Sequence, residues 1–235
     1  DLSNKDLSGL DLSRETIQSE RQVLQETLPR ETPIWYSEHT DGIDLKWVDL
    51  QGAKLLYADF TGADLRYAQL QAADLEQAVF RDAALVQADL REAVLTGVDF
   101  SQADLVASDL RESDLHLADF HKAILGFAHL EGLDFFPAKR IEGARFFNAY
   151  LDRTRIRREQ LGEKIREETV GAYGWAKETY LSLKNNFEQI GRYEDASWAY
   201  RKERRRKKQE AWQKPREAYE EPARKPPVSK TRTME

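Results

Sequence analysis

The chain has 235 residues, with 36 Lys and Arg against 42 Asp and Glu, a net charge of −6 and no cysteine. The composition excludes a disulfide framework and thiolate chemistry. No apolar stretch approaches a membrane span and no signal-peptide pattern is present, so a cytoplasmic protein is the expectation.

The charge is unevenly spread. Residues 41–135 hold 18 acids and 7 bases, net −11, whereas residues 136–235 hold 25 bases and 16 acids, net +9. Such asymmetry bears on partners and says nothing about fold.

In chain order, Leu2, Leu7, Leu12 and Ile17 come first, spaced by five, and residues 1–17 read as one coil of a repeat. The period then lapses, and residues 18–42 read as an insertion. Ile17, Val23, Leu24 and Leu28 fit one short helix ended by Pro29, and Thr32–Tyr36 reads as extended. The insertion either covers an open sheet edge or offers a partner loop. Trp35 and Tyr36 suit both roles.

From Leu45 to Leu130 every fifth residue is Leu or Phe, in eighteen consecutive units. A small residue, most often Ala, stands two positions earlier, and Asp usually lies between, as in Ala58-Asp59-Phe60 and Ala88-Asp89-Leu90. Neither the helical period of 3.6 nor the strand period of two brings every fifth residue to one side. The chain must turn a corner in each unit, which predicts a solenoid. Phe replaces Leu at 60, 80, 100 and 120, so one coil takes twenty residues and four faces, with the four Phe stacked in one inner column. Leu, Phe and Ala then point inward, while Asp and the two variable residues point to water.

These units resemble the pentapeptide-repeat family, whose signature is A-(D/N)-L-x-x. The resemblance implies a mainly β fold, a right-handed quadrilateral β-helix. After Phe135 the centres move to Ile141, Phe146, Leu151, Ile156 and Leu161, a slip of one residue flanked by Gly132, Pro137 and Gly143. Residues 43–161 are thus the expected solenoid.

A helical appendage is expected over 162–212. Tyr173, Ala176, Tyr180, Leu183, Phe187 and Ile190 mark one helix face, Gly191 stops it, and Tyr193, Ala196, Ala199 and Tyr200 mark a second. The order Tyr180, Leu183, Phe187, Gly191, Tyr193, Ala196, Tyr200 is similar to a single tetratricopeptide helix pair. One pair cannot bury its own face, so docking on the solenoid end around Phe146 and Leu151 is the favoured expectation. The string Tyr180 to Tyr200 also resembles a tail of bacterial pentapeptide-repeat proteins that in some precedes membrane segments. That implies a soluble cytosolic piece of a longer protein. Residues 213–235, with prolines at 215, 222, 226 and 227, read as a disordered tail.

Catalytic residues, cofactors and metal sites are not expected. His116 and His121 share an outward position one unit apart but lack a third ligand, and zinc wants three or four. The Asp positions read as a solvated ladder. Three surfaces stand out. The least polar face follows Leu45, Leu65, Leu85, Leu105 and Leu125, with Trp47, Tyr67, Val86, Val106 and Phe127 as a candidate partner face. Either the helix pair or another chain would cover it. The acids Asp89, Asp99, Asp109 and Asp119 form ladders one coil apart. The bases Arg201, Arg204, Arg205, Arg206, Lys207 and Lys208 form a basic patch, read as a solvated helix end or an anionic membrane contact, with nucleic acid and small molecules ranked lower. A non-enzymatic protein-protein interaction scaffold is the leading reading. The family resemblance supplies an alternative, an acidic rod imitating DNA before a type II topoisomerase.

Overall fold

The computed structural model describes residues 6–8, 35–36 and 43–217, with side chains over 6–8 and 43–208. Its elements are β1 (Trp35–Tyr36), β2 (Ile43–Asp44), α1 (Arg158–Leu161), α2 (Arg166–Thr169), α3 (Tyr173–Gln189) and α4 (Tyr193–Glu217). Between β2 and α1 runs a solenoid held by one parallel backbone pairing per unit. The pairing falls on the residue before each central Leu or Phe and joins residues twenty apart, as in Asp44 with Asp64 and Asp99 with Asp119.

Each unit turns the same corner. The N–H three residues after the centre returns to the centre's carbonyl, as from Val48 to Leu45 at 3.2 Å and from Ala103 to Phe100 at 3.0 Å. The residue two after the centre is left-handed in unit after unit, from Trp47 at φ 61° to Arg153 at φ 58°. Side chains other than glycine resist that conformation by about 1–2 kcal/mol. The Asp side chain helps to hold the corner. From Asp44 to Asp134, every Asp before a centre accepts the N–H two residues on, for example Thr61 to Asp59 at 2.8 Å and Ser101 to Asp99 at 2.9 Å. The expected solvated ladder is therefore corrected. These carboxylates satisfy corner donors, and Asp64 and Asp119 are buried.

The slip after Phe135 has a local cause. Pro137 falls where the corner needs a left-handed residue, and its ring fixes φ near −65°. One extra residue enters the coil, and pairings beyond it join residues 21 apart, from Asp119 with Arg140 to Asp134 with Arg155.

Inside, Ala and Leu alternate along the chain and are almost all fully buried. Phe60, Phe80, Phe100 and Phe120 stack in one column at centroid spacings of 4.8, 5.3 and 5.2 Å, as predicted. These spacings follow the roughly 4.8 Å advance of paired strands.

Described residues outside the regular run meet the solenoid at both ends. At the first, the Leu7 N–H reaches the Lys54 carbonyl at 2.6 Å and Asp6 accepts from the Ser8 N–H, so residues 6–8 occupy a repeat position. β1 pairs antiparallel with β2, Trp35 opposite Asp44 and Tyr36 opposite Ile43. The rest of 1–17, the helix expected near Val23–Leu28 and most of the 18–42 insertion lie outside the described residues.

At the other end the helices dock as expected. Buried Glu167 accepts from the Phe146 N–H at 2.8 Å, Asn186 donates to the Thr154 carbonyl at 2.8 Å, and Gln189 accepts from the Arg153 N–H at 3.0 Å. Side chains thus take the places of backbone groups that a further coil would supply. α3 buries Ala176, Tyr180, Leu183 and Phe187. It ends at Gly191, φ 76°, where the Arg192 N–H returns to Phe187 and the Gly191 N–H to Glu188, the paired bonds of a Schellman turn.

Three expectations change here. The last unit is not a repeat corner, because α1 carries Leu161 into the core. On α4 the inner stripe is Asp195, Ala196, Trp198 and Ala199, and Trp198 on that face turns Tyr193 and Tyr200 outward. Finally, α4 continues to Glu217, so residues 213–217 are helical rather than disordered. The remainder of 213–235 lies outside the described residues.

Candidate functional site: the exposed faces of the solenoid and cap

The face following Leu45, Leu65, Leu85, Leu105 and Leu125 splits into two parts. At its N-terminal end Trp47 and Tyr67 stack face to face, centroids 4.1 Å apart and 6° from parallel, with Trp47 67% exposed. They owe that overlap to the corner geometry, which sets both on left-handed residues exactly one coil apart in the same column. Beneath them Lys46 bridges Asp44 and Asp64, and Arg66 grips Asp64. Burial opposes the charge of Asp64, but the Arg66 and Lys46 cations outweigh it and hold the carboxyl below its usual value. Val86 and Val106 continue the face, each half-buried.

At the C-terminal end the face is partly occupied. Phe127 meets Phe147 edge-on at 5.6 Å, and Trp175 of α3 packs on Phe147 at 5.2 Å and on Phe127 at 6.2 Å. Phe127 is thus a corrected member of the partner face, since the cap already touches it. The helix pair reaches the Phe127 end through Trp175, and among the described residues nothing packs over the Trp47–Tyr67 end. Sequence reading missed Phe147 and Trp175. The available signal was Gly126, which stands where Val86 and Val106 stand on earlier coils. A Cβ there would lie 2.1 Å from the Phe147 ring.

The four ladder acids are all engaged. Arg91 forks onto Asp89 with bonds of 2.9 and 2.7 Å, and Gln71 adds another at 2.6 Å. Arg81 reaches Asp99 across the coil at 2.6 Å, Arg111 forks onto Asp109, and Arg140 holds Asp119. Burial pushes the carboxyls of Asp89, Asp99 and Asp109 upward. The hydrogen bonds and cations around them prevail and set all three below the usual range. The pairings Asp89 with Asp109 and Asp99 with Asp119 do place acids one coil apart, but with arginine between or beside them.

The basic patch divides by helix face. Arg206 turns inward and meets Glu168 at 2.8 Å, and Lys202 donates to the Glu163 carbonyl at 2.7 Å with Glu168 at 3.7 Å. Tyr180 donates to the same Glu168 at 2.6 Å. This buried network ties α2 to α3 and α4, so Arg206 belongs to the cap rather than to a surface patch. Arg201, Arg204, Arg205, Lys207 and Lys208 remain exposed. His121 is half-buried and His116 exposed, and among the described residues no three His, Cys, Asp or Glu gather to hold a metal ion. No helix among them is long and apolar enough to cross a membrane.

The pattern of pentapeptide repeats matches residues 43–82, 73–111 and 99–135, in 8 copies. Residues 43–135 thus carry pentapeptide repeats, and the solenoid they build is a repeat β-helix. Among solved structures it is similar to a pentapeptide repeat protein of the Arabidopsis thaliana thylakoid lumen, at 29% identity over 55% of this chain and 88% of that one, TM-score 0.30. It is also similar to QnrB1, a plasmid-mediated fluoroquinolone resistance protein, at 18% identity over 72% and 84%, TM-score 0.29. A third is HetL, a pentapeptide repeat protein involved in heterocyst differentiation regulation from the cyanobacterium Nostoc sp. strain PCC 7120, at 23% identity over 66% and 65%, TM-score 0.20. Overlays this loose carry no argument about shared activity. No curated protein matches the sequence.

Proposed function

We propose that this chain is a non-enzymatic interaction scaffold, acting in the bacterial cytoplasm, whose working surface is the open part of the apolar face. The observation that carries the reading is the Trp47–Tyr67 stack: two large rings face to face, Trp47 exposed and Tyr67 half-buried, on a face whose only outward charges are Lys46 and Arg66. Aromatic side chains in such settings are the usual anchors of protein contacts. Val86 and Val106 extend the anchor without a charge. The helix pair, seated at the rod's end, keeps that end from pairing with other chains and fixes which part of the face stays free.

The acidic-rod reading is weaker. A DNA imitation needs carboxylates free to meet a basic groove, whereas Asp89, Asp99, Asp109 and Asp119 each face arginine of their own chain. On the scaffold reading, the purified protein leaves a type II topoisomerase supercoiling reaction unchanged. Inhibition or protection that Asp89→Lys, Asp99→Lys and Asp109→Lys abolish would reinstate the imitation.

The scaffold itself is tested by replacing Trp47 and Tyr67 together with Ser. The variant is expected to melt like the parent and to lose the higher-mass complex that the parent forms in its own cell extract. An unchanged complex would remove the face from the account.

A further inference from the structure

A separate surface lies at the far end of the molecule and is independent of the scaffold reading. α4 is held to the cap by one side only, through Asp195, Ala196, Trp198, Ala199, Lys202 and Arg206. Among the described residues nothing covers its opposite side. Tyr193, Tyr200, Arg204 and Lys208 follow one another at helical spacing, and Ser197, Arg201 and Arg205 run beside them, all exposed. Tyr193 and Tyr200 are 69% and 48% exposed. None of Arg201, Arg204, Arg205 and Lys208 forms an ion pair among the described residues, although Glu168, Glu163 and Glu159 lie on neighbouring elements of the cap. The cations that could be neutralised internally, Lys202 and Arg206, are on the docked side. Among the described residues the bases of the helix thus divide into a structural pair and a stripe without ion pairs.

We propose that this outer side of α4 is a docking surface for an anionic phospholipid bilayer. Charge complementarity names the chemistry: four unpaired cations on one straight side match a plane of phosphate groups. The two tyrosines narrow it further. They sit one turn and more before the bases on the same side, ring exposed and hydroxyl free to stay wet, which suits the headgroup layer where amphipathic rings collect. A helix lying flat with its other side already buried presents a line of contact to a plane. Single-stranded nucleic acid is instead held in a basic groove, and the outer side of α4 is convex. The solenoid's net charge of −11 over residues 41–135 sits away from this end. The rod would therefore stand off an anionic surface while the cap engages it.

The test is co-sedimentation of the full chain with vesicles of phosphatidylcholine, alone or mixed with phosphatidylglycerol. Binding is expected to the mixed vesicles only and to fall steeply with added salt. Replacing Arg201, Arg204, Arg205 and Lys208 with Gln should weaken it by about a hundredfold or more, at roughly fivefold per cation. Replacing Tyr193 and Tyr200 with Ser should weaken it further without changing the salt dependence. An unchanged melting temperature shows that each variant keeps the cap. Equal sedimentation with neutral vesicles, no sedimentation with either, or tighter binding to a fluorescent oligonucleotide than to the mixed vesicles would each overturn the proposal.

Discussion

Glu167 stands in for the coil that does not exist, its carboxylate accepting the Phe146 N–H at 2.8 Å in a fully buried position. One coil earlier the equivalent N–H, that of Leu125, meets the Arg145 carbonyl at 2.7 Å. A charged side chain thus performs a backbone task, and its burial gives the cap a pH signature.

Burial raises the Glu167 carboxyl above its ordinary value, against the opposing effects of hydrogen bonds from its own and the Phe146 N–H, of Arg145 and of Thr179. In the unfolded chain the group titrates at its ordinary value. The native state therefore keeps the proton to higher pH. Its stability falls as pH rises from the ordinary to the raised value, then stays lowered. Glu167→Gln keeps an oxygen for Phe146 and removes the charge. Urea denaturation at a series of pH values should show the variant gaining on the parent through that window and keeping a constant gain above it. Parallel profiles would contradict this.

The rod has the opposite sign. Asp64, Asp89, Asp99 and Asp109 have carboxyls held low despite burial, by arginine, lysine and neighbouring donors. Their stabilisation is present above the ordinary carboxylate value and is lost as pH falls through the lowered ones. In the Glu167→Gln background, acid should therefore destabilise the solenoid alone, seen as faster amide exchange at residues 64–109 as pH falls. Exchange there that slows in acid, after correction for the intrinsic rate, would contradict the pairing.

The inner column should be sensitive to volume. Phe100 lies between Phe80 and Phe120 at 5.3 and 5.2 Å with no exposed surface. Phe100→Ala removes the ring and leaves a cavity that neighbouring coils, pinned by backbone pairing, cannot close. A loss of about 3–5 kcal/mol is expected in denaturant titration. An unchanged midpoint would mean the column is not packed as described.

Gly126 should tolerate no Cβ. Ala there would place its methyl 2.1–2.5 Å from three Phe147 ring atoms, and the ring would have to leave Trp175. Gly126→Ala is expected to cost about 1–3 kcal/mol. It should shift the Trp175 indole N–H resonance while leaving that of Trp47 in place. A shift of neither, or of both, would contradict the local packing.

Much of this was legible because the repeat makes each statement many times over. Eighteen centres fixed the coil, and the Phe spacing fixed its length. The place of Asp was legible, its task was not. A short polar residue beside a corner looks solvated until the backbone N–H two residues on is seen to need a partner. Pro137 was recognised as part of a slip, whereas its conflict with a left-handed corner follows only from the observed turns. The appendage was read from apolar spacing, which placed Tyr180, Leu183 and Phe187 correctly. It failed at Tyr193 and Tyr200 because tyrosine suits either side of a helix, and Trp198 filled the inner stripe. Of the arginine partners of the ladder acids, Arg91 and Arg111 stand two residues after Asp89 and Asp109, whereas Arg81 and Asp99 lie 18 residues apart and meet only once the coil closes.

The central claim is that the face bearing Trp47 is the surface in use. The chain's lack of cysteine makes thiol footprinting the direct measurement. Single cysteines at Trp47 and Gln87 report on that face, and single cysteines at Asp82 and Gln102 report on another. All four positions are exposed and left-handed, so the substitutions carry equal strain. Labelled in its native cells and again after purification, the chain should show slowed modification at 47 and 87 in cells, and the same rate in both settings at 82 and 102. Equal rates at all four positions, or protection only at 82 and 102, would contradict the account.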